Sequence, residues 1–137
     1  VKHAEPQIIE LPKIVDPRGN LSFLQFPDQV PFEIKRVFWT YDVEGGEVRG
    51  GHAFKRQSEM VIALSGSFDV VVKDAKGDEQ RFLLNRSYYG LLLPPMTWRH
   101  MQNFSTNAVS FHLTDAAFSE QDYIRDLETF NAMRSNG

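Results

Sequence analysis

Between Gly51 and Gly66 the sequence reads GHAFKRQSEMVIALSG, and His52 is the one imidazole in it. A neutral imidazole takes or gives a proton near neutral pH. In an extended strand alternate side chains share a face, so His52 and Phe54 point together while Ala53 and Lys55 point the other way. If the shared face lines a cavity, His52 is an enclosed acid–base group with an apolar neighbour. If it lines a core, His52 is a hydrogen-bonded structural residue. Glu59 and His100 open a second route, because two histidines and a carboxylate can hold a non-haem metal with free positions. Phe54 cannot ligate, Glu59 reads equally well as a solvated residue at a strand start, and His100 as a surface residue beside Arg99. No functional metal is expected.

These residues sit in a chain of 137 residues, 42% apolar and 12% aromatic, with a formal net charge of -3. That suits one globular domain over residues 1–137 and gives no general attraction to nucleic acid or to a membrane. There are no cysteines, which excludes disulfides and thiolate metal sites. The opening VKHAEPQIIELPKI has no signal-peptide pattern, and no apolar run reaches the length of a spanning helix. A soluble cytoplasmic protein is the expectation.

The elements read as short strands joined by turns. Gln7–Leu11 starts the series, Asp16–Asn20 (DPRGN) turns, and LSFLQF follows with Leu21, Phe23 and Gln25 on one face. Glu33–Tyr41 is rich in β-branched and aromatic residues, and Glu44–Gly51 is a flexible connection into the opening stretch. The apolar run from Ser58 breaks at Ser65-Gly66, and SFDVVVK, RFLL, YYGLLL, MTWRHMQNFS and AVSFHLT continue the pattern. Strands at this spacing predict a sandwich or barrel. Only SEQDYIRDLETFNAM differs: Ser119 as N-cap, with Tyr123, Leu127 and Phe130 at helical spacing, predicts one short C-terminal helix.

The spacing His52, Phe54, Glu59, Gly66 resembles the first motif of the cupin superfamily, with Phe54 where a second histidine usually stands. Gly90, Pro95, His100 and Asn103 resemble the second motif, with Thr97 in place of a glycine and the last interval one residue short. The implied fold is all-β, a cupin double-stranded β-helix (jelly-roll barrel) with a short C-terminal helix. Four further stretches narrow the resemblance. Arg49-Gly-Gly-His52-Ala-Phe54-Lys55 resembles the RGxHAHK signature of nucleotide-sugar 3,4-ketoisomerases. Asp16-Pro-Arg18-Gly is similar to their DxRG, Pro94–Arg99 to their PPxxW(R/K), and Asp122–Leu127 to their DYIRDY.

What the resemblance implies is a homodimeric enzyme that needs neither metal nor nicotinamide. It would move the ketone of dTDP-4-keto-6-deoxyglucose from C4 to C3 through an enediol, in deoxysugar biosynthesis for lipopolysaccharide or S-layer glycans. His52 matches the first functional histidine; the role of the second does not carry over to Phe54. A keto shift needs a base at C3 and a donor that manages the sugar oxygens or returns the proton. His100 and His112 are the first candidates to assist, and Tyr88 and Tyr89 are further donors. His112 alternates with Phe111 and Leu113; if those face the layer between sheets, His112 faces elsewhere. Arg18, Arg49 and Arg99 offer forks for the diphosphate. Trp39 and Trp98 could stack on the base and could equally be core. Two alternatives remain open because of Phe54: an epimerase-like or metal-dependent cupin enzyme, and a non-catalytic sugar-nucleotide binding protein.

Overall fold

A computed structural model describes residues 4–136. Its strands are β1 (Gln7–Glu10), β2 (Lys13–Ile14), β3 (Leu21–Ser22), β4 (Arg36–Thr40), β5 (Arg49–Phe54) and β6 (Glu59–Ser65). They continue with β7 (Phe68–Lys73), β8 (Glu79–Leu84), β9 (Tyr89–Leu93), β10 (Trp98–Gln102), β11 (Val109–Thr114) and β12 (Tyr123–Ile124), and the chain ends in helix α1 (Leu127–Asn136). Two five-stranded sheets form, in the orders β1-β9-β6-β11-β4 and β12-β5-β10-β7-β8, while β2 and β3 pair as a separate hairpin. From β4 onward each connection crosses between the sheets except the β7–β8 hairpin, which is the jelly-roll path expected. Among the described residues no helix is long and apolar enough to cross a membrane.

The unbroken apolar run of β6 has a simple cause: both of its faces are covered. Val61 and Ala63 face inward with Phe68, Val70, Val72, Leu91 and Leu93, forming the core between the sheets. Met60 and Ile62 face outward under Leu11, Val30 and Phe32 of the N-terminal segment. The turn after β6 depends on Gly66. Its φ is +66°, and a Cβ there would lie 2.4 Å from Ser105 Oγ and 2.9 Å from Ala108 Cα.

Three local expectations are corrected. LSFLQF contributes only Leu21–Ser22 to a strand, and Phe23 and Phe26 stay exposed. The Glu44–Gly51 connection ends early, because Arg49, Gly50 and Gly51 already belong to β5. The C-terminal helix starts at Leu127 rather than after Ser119; Ser119 makes no side-chain cap, a 3-10 turn spans Glu120–Asp122, and β12 follows. The tertiary partner decides this. Tyr123 and Ile124 pair with Phe54 and Ala53, and the Asp122 carboxylate accepts the backbone N–H groups of Arg56 and Gln57 at 2.9 and 3.1 Å. Helix α1 then covers the outer face of β5 and β10, burying Phe130 against Ala53 and Ile124 beside Trp98.

Candidate active site

The interior of the barrel has an apolar half and a polar half. Register places the polar half. Glu59, the first residue of β6, opposes Thr114 of β11; His112 opposes Val61 and Phe38; Ser110 opposes Ala63 and Thr40. In the other sheet Arg99 of β10 opposes His52 of β5 and Val72 of β7, and Tyr123 of β12 opposes Phe54. Opposed residues share a face, so Arg36, Phe38, Thr40, His52, Phe54, Glu59, Arg99, Ser110, His112 and Tyr123 all line the inside.

Glu59 and Arg99 are 1% and 2% exposed and form a buried ion pair, Arg99 Nη1 donating to Glu59 Oε1 at 2.9 Å. Arg99 Nη1 also lies 3.3 Å from His52 Nε2. Arginine has no acceptor, so His52 Nε2 receives that contact and the proton of the neutral ring sits on Nδ1. The other carboxylate oxygen of Glu59 lies 3.3 Å from His112 Nδ1. His112 Nε2 meets Ser110 Oγ at 2.8 Å, Ser110 meets Thr40, and the imidazole stacks on Phe38 with ring centres 4.4 Å apart. A polar row therefore crosses the barrel from β4 to β5.

The charges follow from burial. Desolvation, and then the Arg99 guanidinium, push His52 down to about 3, so it is a neutral base at pH 7. Burial alone would raise Glu59; Arg99 and then His112 outweigh it and hold the carboxyl well below its usual range. Arg99 itself is lowered by desolvation, opposed by Glu59. These residues do not suit a metal. Among the described residues no group of three or more His, Cys, Asp or Glu side chains could hold one, and a guanidinium occupies the face of Glu59.

The structure brings together His52, Glu59, Arg99 and His112 of the residues singled out in the sequence. His112 does so for a reason opposite to the one anticipated: Phe111 packs with the outer cluster under the N-terminal segment, as Leu113 does, and His112 itself faces the space between the sheets. The rest are placed elsewhere. His100 alternates with Arg99, faces outward and contacts Gln102 Oε1 at 3.2 Å. Trp98 lies on that same outer face near α1, its ring 6.1 Å from Phe130. Trp39 is outward on β4, 55% exposed, beside Phe111. Tyr88 stacks near Tyr89 under the Lys13 ammonium. Arg18 is gripped by Asp16 on the exposed β2–β3 hairpin. Arg49 is on a rim, lining an open depression with Thr40, Asp42, Glu44 and Glu47.

Sequence reasoning missed Arg36 and Tyr123. Tyr123 Oη accepts a hydrogen bond from Arg36 Nη2 at 3.1 Å, and its ring is 5.0 Å from His52 and 4.7 Å from Phe54. Arg36 is braced on Phe38 and Phe118. The available signal was parity: in DYI, Tyr123 alternates with Asp122 and Ile124 as strand residues do.

Barrel and site together define a cupin-type fold with a neutral imidazole and a buried guanidinium–carboxylate pair inside. The family description FdtA: WxcM-like, C-terminal matches residues 4–135, and the chain belongs to that family. It is 35% identical to a TDP-4-oxo-6-deoxy-alpha-D-glucose-3,4-oxoisomerase of Aneurinibacillus thermoaerophilus, over 92% of this chain and 90% of that protein. Among solved structures it is similar to the WlaRB TDP-quinovose 3,4-ketoisomerase of Campylobacter jejuni, with 37% identity, a TM-score of 0.86, and coverage of 91% of this chain and 95% of the other. It is also similar to a mutant of the 3,4-ketoisomerase QdtA from Thermoanaerobacterium thermosaccharolyticum in complex with TDP-4-keto-6-deoxyglucose: 28% identity, TM-score 0.92, coverage of 96% and 94%.

Proposed function

We propose that this chain is a sugar-nucleotide 3,4-ketoisomerase that moves the ketone of a TDP-linked 4-keto-6-deoxyhexose from C4 to C3 through an enediol. The relatives named above support the substrate class. The observation that carries the chemistry is His52: half-buried, neutral, and with Nε2 as its lone-pair nitrogen. His52 Nε2 takes the proton from C3, next to the carbonyl, exchanges it with solvent, and delivers a proton to C4. Arg99 acts through His52. It fixes the tautomer and places a positive charge beside the enediolate as that forms. Glu59 holds Arg99, and His112 backs Glu59.

Incubation with TDP-4-keto-6-deoxyglucose in heavy water tests this reading. Ketone migration with deuterium at C4 is expected. Exchange at C3 or C5 without migration would favour an epimerase-like reaction, which Phe54 in place of a second histidine makes the nearest rival. Binding without exchange would replace the reading with a non-catalytic one.

The working form is a homodimer in the cytoplasm, serving deoxysugar synthesis for surface glycans. The absence of cysteine suits a reducing compartment. Support for the dimer is the outer face of β4, β6 and β11, where Val37, Trp39, Tyr41 and Leu64 are 44–63% exposed.

A further inference from the structure

The proposed isomerisation moves two protons, one between carbons and one between oxygens. A hydrogen must leave C3 and one must arrive at C4, and the hydrogen on O3 must reach O4. His52 serves the carbons. Phe54, which shares its face, exchanges nothing. His112 is 3% exposed, sealed between Glu59, Ser110 and Phe38, and His100 faces outward. Among the described residues no other histidine is available, so the oxygen proton needs a different carrier.

Resting on that functional reading, we propose that Tyr123 is a catalytic residue, the acid–base group for the sugar oxygens, and that it does the work Phe54 cannot. Three observations carry this. Tyr123 is the cross-strand neighbour of Phe54, and its ring touches both Phe54 and His52, so it lies on the same inner face of the barrel. Its hydroxyl accepts from Arg36, which can only donate, so the phenolic hydrogen remains to be given; among the described residues nothing takes it. Finally, the phenol is held in place. Arg36 stacks on Phe38, Arg125 Cζ lies 4.2 Å from the centre of the tyrosine ring, and Asp122 ties the start of β12 to the loop after β5. The Arg36 guanidinium faces the charge that develops on Oη as its proton leaves.

The steps balance. His52 Nε2 removes the C3 hydrogen while Tyr123 protonates O4, giving the neutral enediol. Tyr123 Oη then takes the O3 hydrogen while His52 returns its proton to C4. Both side chains end as they began, and no electrons leave the sugar.

The test compares the full-length chain with Tyr123→Phe on TDP-4-keto-6-deoxyglucose, beside TDP affinity by calorimetry. The variant is expected to lose at least about thirtyfold in kcat with TDP affinity essentially unchanged. A smaller loss, or a loss of kcat matched by an equal loss of affinity, overturns the assignment and leaves the isomerase reading intact. Arg36→Gln, which retains the phenol, should lower kcat at unchanged KM; no change in kcat counts against the assignment. Installing Phe54→His in the Tyr123→Phe background should recover part of the lost rate, and a merely structural tyrosine would not be rescued this way. If the parent chain moves no ketone, the functional reading fails first and takes this assignment with it.

Discussion

A carboxylate sealed inside a barrel survives only while positive charge faces it, and the Arg99 guanidinium supplies that charge to one oxygen of Glu59, while His112 Nδ1 lies 3.3 Å from the other. Glu59→Gln leaves the Arg99 charge buried and unpaired. A loss of about 3–5 kcal/mol is expected, read as a lowered urea midpoint. Glu59→Leu with Arg99→Met should regain most of that stability while staying inactive, which would separate the cost of an orphaned charge from lost packing. The acid side of the stability curve has a stated sign. His52 falls from 6.5 unfolded to about 3 folded, so between those values the unfolded chain binds the extra proton and stability drops as pH falls. Glu59, also depressed, adds to the loss below 4.5. Melting temperature should decline from pH 6.5 downward, and His52→Asn should flatten the upper part of that decline. In kinetics the free enzyme keeps its base unprotonated well below pH 6.5, so kcat/KM should show no acid limb at the usual histidine value. At this scale the sequence was informative about His52, whose flanking residues and distance to Glu59 marked a site. It was silent about Arg99 facing Glu59, because strand parity gives the face of a residue but not its partner across the barrel.

The strands that position these groups were legible where their alternation was clear or their apolar run short and bounded, as in β6, β7 and β11. The C-terminal stretch was not. Tyr123, Leu127 and Phe130 fit helical spacing, yet Asp122 spends its carboxylate on Arg56 and Gln57, in a loop more than sixty residues away, and this pulls Tyr123 and Ile124 into the sheet. No local rule contains that bond. Asp122→Ala should cost about 1–3 kcal/mol through the freed backbone donors and should also lower kcat, because Tyr123 loses its anchor. Gly66→Ala offers the contrast. At the opposite end of β6, with φ of +66° and Ser105 and Ala108 in the way, it should lower the melting temperature while leaving kcat close to that of the parent.

At the scale of the molecule, the core of one chain is complete while Val37, Trp39, Tyr41 and Leu64 stand in contact with water, as do Ile14, Val15 and Leu21 on the β2–β3 hairpin. A second copy covering the sheet face would account for that exposure. Sedimentation should return twice the chain mass, and Trp39→Glu or Leu64→Asp should return the mass of a single chain. The resemblance implied a homodimer, but the face that would form it was not legible, because an apolar residue in a strand reads the same whether its neighbour is its own core or another subunit.

The polar row from Thr40 to His52 ties the two sheets together across the barrel interior, and the contact from Arg99 to His52 at its end is, at 3.3 Å, as long as any in it. A sugar entering beside the imidazole would strain that link before the 2.9 Å ion pair behind it gave way. While that contact is made it covers the lone pair of His52 Nε2, so the imidazole can take a proton from carbon only once Arg99 lets go of it. Arrival of the sugar and readiness of the base would then be one event, and the imidazole proton resonances of His52 would report it from inside the barrel.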